Sequence, residues 1–122
     1  MIPQKIDLDP IVTGHTWKGI PTILRRDRPE GGEPAPPASA LALVEMVFRP
    51  GADCKNASPI TLTSDGENAA ITIVDAADWE ITIPARILPL TPGRWNWILT
   101  TTAADGTRDP LLTGVLTVNP AP

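Results

Sequence analysis

Fifteen prolines among 122 residues, where about 5% is usual, decide most of what this chain can fold into. Proline lacks a backbone N–H, and its ring collides with the preceding helical turn. Helices are therefore confined to stretches without it, of which the longest are Ile60–Ile83 and Gly93–Asp109. Both stretches space Ile, Thr, Val and Trp at a period of two, which is strand chemistry. The chain is predicted to be all-β.

The clearest element spans Leu90–Pro120. A tight turn leads into a strand over Arg94–Thr102 with Trp95, Trp97 and Leu99 on one face. Asp105-Gly106 turns the chain, and a return strand over Leu111–Val118 is stopped by Pro120. Upstream, Thr16–Arg26 reads as a strand interrupted by Gly19 and Pro21, which makes it an edge or a bulged strand. Ala42–Arg49 puts Ala42, Val44, Met46 and Phe48 on one face. Its other face mixes Leu43 and Val47 with Glu45 and Arg49, so that face is only partly covered. Ile60–Thr63 and Ala70–Val74 are joined through the turn Ser64-Asp65-Gly66-Glu67. Trp79–Ile83 aligns Trp79, Ile81 and Ile83.

Seven or eight short strands separated by turn signals predict an antiparallel two-sheet β-sandwich, Ig-like or jelly-roll-like, without substantial helix. Residues 1–122 form one domain. Residues 1–9 read as a short strand or N-terminal arm, and 27–40 as an exposed Pro/Gly-rich loop. The predicted core is Val44, Met46, Phe48, Ile71, Ile73, Trp79, Ile81, Ile83, Trp95 or Trp97, Leu99, Leu116 and Val118.

A net charge of −4 argues against a nucleic-acid partner, which requires a basic face to release counterions. The N-terminal MIPQKIDLDP has no apolar core of a signal peptide, and no apolar run reaches membrane length. Synthesis without a signal peptide and no membrane partner are the expectations. Cys54 is the sole cysteine, so no internal disulfide forms, and a small, partly buried side chain is expected there.

The residues do not assemble into a catalytic set. His15 is the one histidine and lies in a Gly-His-Thr turn, where a surface residue is expected. Zinc would require three or four His, Cys or carboxylate ligands at defined spacing. The acids Asp65, Glu67, Asp75 and Asp78 do not follow a calcium loop. Glu30-Gly31-Gly32-Glu33 carries the wrong charge to cradle phosphate. No enzyme activity, metal or cofactor is expected.

Four Trp with one Phe and no Tyr leave three readings open. The Trp-bearing faces are core, or they are an interface rich in Trp and Arg, or they are a stacking platform for carbohydrate. On the interface reading the candidate residues are Trp17, Arg25, Arg26, Arg28, Arg94, Trp95 and Trp97. The run Arg25-Arg26-Asp27-Arg28 is then either a solvated strand end or a contact with an acidic neighbour.

The order of these signals resembles the N-terminal-domain-like module of the phage baseplate upper protein family. The matching segments begin with Gly14-His15-Thr16-Trp17 entering an early strand, Gly32-Glu33-Pro34 in the loop, and the strand ending in Arg49. They continue with Asp65-Gly66 before Ile73, and with Leu90, Gly93, Trp95 and Trp97. The closing hairpin runs from Asp105-Gly106 to Leu111-Leu112-Thr113-Gly114 and Val118. Together they cover about residues 10–120. The chain departs from the family at Ala35–Ser39, where Leu-Thr-Gly is usual, at Trp positions that usually hold Tyr, and at Ile98, where Asp is common. The resemblance implies a non-catalytic structural protein of the virion, oligomeric in the particle, that docks on other virion proteins. A tail or baseplate adaptor is the leading expectation, a capsid decoration protein the alternative. The chain ends about where the module ends, so no receptor-binding extension is expected.

Overall fold

The computed structural model describes residues 3–27, 32–52, 54, 57–67 and 69–121. They form β1 (Gln4–Lys5), β2 (Ile11–Val12), β3 (Thr16–Trp17), β4 (Ile20–Leu24), β5 (Leu41–Pro50), β6 (Ile60–Thr63), β7 (Thr72–Asp75), β8 (Glu80–Ile83), β9 (Arg86–Ile87), β10 (Gly93–Ala103) and β11 (Arg108–Asn119). These described residues contain no helix. The architecture is the expected all-β sandwich, with eleven strands instead of seven or eight. The surplus comes from two-residue strands, β1, β2, β3 and β9, which are too short to show periodicity.

One layer is a six-stranded sheet in the order β1-β11-β10-β5-β6, with β2 also on β11. Its central pairs are antiparallel, whereas β1 and β2 run parallel to β11. The other layer holds β4-β8-β7 and the pair β3-β9. The predicted strand Thr16–Arg26 divides into β3 and β4, which belong to different sheets. Gly19, with φ of 75°, turns the chain between them, where a side chain would strike the Ile83 carbonyl. Pro21 lies on β4, an edge strand with a register shift between Ile20 and Ile23, as expected of a residue without an N–H.

The segment Ser64–Glu67 does not close a hairpin. β6 belongs to the large sheet and β7 to the three-stranded one, so this turn carries the chain from one layer to the other. The hairpin at Asp105-Gly106 forms as read, pairing Trp95 with Leu116 and Leu99 with Leu112.

Between the layers lie Val44, Met46, Phe48, Ile71, Trp79, Ile81, Ile83, Leu99, Leu116 and Val118, all at most 2% exposed. Each contributes about 1.5–3 kcal/mol on full burial, opposed by ordering entropy. Ile73 is only half-buried. Two bulges break the alternation that the sequence implies. One pairs Thr102 with Leu43 and Ala103 with Leu41, so Leu41 turns inward and Ala42, read as a core-face residue, is exposed. The other, between Leu99 and Thr100, buries the adjacent Leu111 and Leu112 together.

Candidate interaction surface

The tryptophans proposed for an interface are inside. Trp17, Trp95 and Trp97 are 2%, 1% and 1% exposed, so their rings reach neither a protein partner nor a sugar. β10 is central in its sheet, and its Trp-bearing face is the one turned to the second layer. Trp17 packs edge-on against Phe48, with centroids 6.2 Å apart and planes at 88°, a favoured aromatic arrangement. The Trp95 indole N–H donates to the Thr91 carbonyl at 2.9 Å. Trp97 Nε1 is buried with no acceptor among the described residues.

Two of the candidate arginines are committed within the chain. The Arg25 guanidinium lies over the Trp79 ring and pairs with Asp27 at 3.3 Å and Asp109 at 3.6 Å. Arg26 donates to the Asp78 carbonyl and carboxylate at 2.6 and 2.9 Å. Both clamp the turn between β7 and β8, and neither awaits an acidic neighbour. Arg28 lies outside the described residues. Arg94 is exposed on the outward face of β10.

That outward face is the surface the sequence reading passed over. Its rows follow from the strand register. Asn96 lies between Arg49 and Val115. Ile98 lies between Val47 and Thr113, with Thr61 beyond Val47. Thr100 lies between Glu45 and Pro110, with Thr63 beyond Glu45. Leu43, Thr102 and Arg108 make the last row. Leu43, Val47, Ile98 and Val115 are half-buried within a threonine-rich surround. Arg49 and Arg94 lie toward one end, while Glu45, between Val47 and Leu43, is paired with Arg108 of the last row at 3.3 Å. Leu43 and Val47 on a partly covered face were the available signal. Their neighbours on β10 and β11 depend on register, which hydrophobic pattern leaves open when both faces carry apolar residues.

The reactive side chains are dispersed. His15 is exposed in its turn, its N–H bonded to the Val12 carbonyl at 3.0 Å. Ser39 and Ser64 hydroxyls accept backbone N–H groups of Asp105 and Val44. Cys54 is buried, its thiol 3.4 Å from the Arg94 carbonyl. Asp75 accepts from the Asp78 N–H. No group of three His, Cys, Asp or Glu among the described residues is arranged to hold a metal. Comparison with protein-family models, curated proteins and solved structures gives no match.

Proposed function

We propose that the chain is a non-enzymatic phage virion protein, an assembly module of the tail or baseplate that docks on a larger virion protein. The observation that carries this reading is the outer face of the large sheet. Three paired strands, β5, β10 and β11, present Leu43, Val47, Ile98 and Val115 among threonines, with Arg49 and Arg94 toward one end and Glu45, paired to Arg108, between Leu43 and Val47. Interface centres are poor in charge and ringed by polar groups. The partner is a flat apolar surface with an acidic rim that meets Arg49 and Arg94. The virion setting rests on the resemblance of the ordered segments from Gly14 to Val118.

Replacing Ile98 by Lys tests the reading, since its side chain points away from the core. The variant is expected to keep its β-rich circular dichroism and its melting temperature within a few degrees, yet to be absent from purified particles. Particles whose protein inventory lacks the unaltered chain, or that incorporate Ile98→Lys normally, refute it. Copy number separates tail from head, since a shell decoration protein is present in far more copies than a baseplate subunit.

A further inference from the structure

The N-terminal segment closes the edge of β11 in a way that does not specify which molecule supplies it. Gln4 and Lys5 lie beside Leu112 and Thr113 in parallel register. The Ile6 N–H donates to the Thr113 carbonyl at 2.7 Å and the Leu8 N–H to the Val115 carbonyl at 3.1 Å. The Asp7 carboxylate accepts the Val115 N–H at 3.2 Å, replacing a ladder carbonyl. Apart from Asp7, the side-chain contribution is the half-buried Leu8 packed against the core, and Gln4 through Asp7 are exposed. Main-chain pairing of this kind is the basis of strand addition between molecules.

The receiving edge is built for a crossing strand. A β-carbon at Gly114 would meet the Ile6 carbonyl, and Trp97 Nε1 is 2.9 Å from that same point. Without the segment, the β11 groups that bond to Ile6, Asp7 and Leu8 would stand as an open sheet edge, a ready template for another strand. Beside it, a groove of 240 Å³ opens toward β4, lined in part by Ile6, Leu8, Ile20, Leu24 and Leu112. The edge therefore receives a strand.

The connection permits exchange. Asp9 and Pro10 are exposed, and the chain rejoins β11 only where Ile11 and Val12 pair with Val118 and Asn119. The ion pair across this bend, Asp9 to Lys18 at 3.1 Å, has both side chains about 80% exposed and holds it weakly. From Leu8, bonded to Val115, to Ile11, paired with Val118, three extended steps span about 10 Å, so exchange takes place between copies whose β11 strands lie side by side.

We propose that residues 3–9 are an exchangeable arm that lies along β11 of a second copy, making there the bonds it makes within its own chain. Exchange of an identical element is a low-cost route to an oligomer. The inference does not depend on the virion reading, because it concerns the isolated chain.

Two single variants, Lys5→Cys and Thr113→Cys, each with Cys54→Ala, test it when mixed at millimolar concentration and joined by a short bismaleimide. A covalent heterodimer of the two variants, absent from either alone, is the expected product. The double variant Lys5→Cys/Thr113→Cys, joined at high dilution, provides the single-chain reference. Monomers from the mixture, with ready closure in that reference, overturn the proposal. So does sedimentation of the unaltered chain as a 13.0 kDa monomer at every concentration up to millimolar.

Discussion

The Arg25 guanidinium lies 4.8 Å from the centroid of the Trp79 ring, and that ring hangs from a backbone with φ of 55°. A left-handed conformation costs an ordinary residue roughly 1–2 kcal/mol, and this position ends the turn between β7 and β8. Burying an indole removes about 150–250 Å² from water, worth roughly 4–6 kcal/mol at about 25 cal/mol per Å². Burial wins over backbone strain by several-fold. The bond from Trp79 Nε1 to the Ser39 carbonyl, at 2.8 Å, fixes the ring beneath the arginine.

Arg25→Ala is expected to lower stability by about 1–2 kcal/mol, since cation–π contacts reach that range when partly desolvated. Arg25→Lys keeps the charge but loses the planar stack and should fall between the two. Urea denaturation followed by circular dichroism measures both. A loss for Arg25→Ala within the roughly 0.5 kcal/mol of ordinary surface changes would contradict a structural role for the stack.

The buried indoles predict an ordered series of Trp→Phe variants. Trp79→Phe and Trp95→Phe each leave a carbonyl, of Ser39 or Thr91, without its donor. Trp97→Phe removes a donor that has no acceptor among the described residues. Beyond similar losses of volume, the first two should cost about 1 kcal/mol more than the third. Equal losses across the series would show that those two bonds carry no net stability.

Gly114→Ala places a methyl group where the Ile6 carbonyl lies. The strain is expected to fall on the N-terminal segment, because overpacking costs about 1–3 kcal/mol and that segment is held by few bonds. Hydrogen exchange should show lost protection at the Ile6 and Leu8 amides, with the amides of the β10–β11 ladder still protected. Uniform loss across both would place the segment inside the cooperative core.

The Asp105 carboxyl is held below its ordinary range, chiefly by the backbone N–H of Thr107 and further by the Thr107 side chain. A depressed carboxylate contributes stability above its unfolded value, about 3.9, and loses it as pH falls through the folded value. The hairpin turn should therefore weaken below about pH 4. Asp105→Ala should flatten that part of the acid limb in urea titrations, while an unchanged limb would assign it to other carboxylates.

The hairpin of β10 and β11 was legible because its signals are local: a turn dipeptide, alternation on both sides, and a proline stop. For Trp95 and Trp97 the core reading was borne out, both being about 1% exposed, but the sequence could not decide it against the interface and sugar readings. Alternation shows that two side chains share a face, but not whether that face meets a second layer or a partner. Leu41 and Leu111 escaped because a bulge shifts parity by one residue and leaves no compositional mark. Ser64–Glu67 announced a reversal, yet the sheet that receives the chain afterwards depends on contacts distant in sequence. The outward face around Ile98 escaped for the same reason.

Parallel pairing of the first segment with β11 also has a consequence for synthesis. The Asp7 carboxylate and the Val115 N–H it accepts are 108 residues apart. At translation rates of roughly 5–20 residues per second, the N-terminal residues wait about 5–20 seconds for their partner strand to exist. Throughout that interval the segment's backbone groups have no β11 of their own chain to pair with.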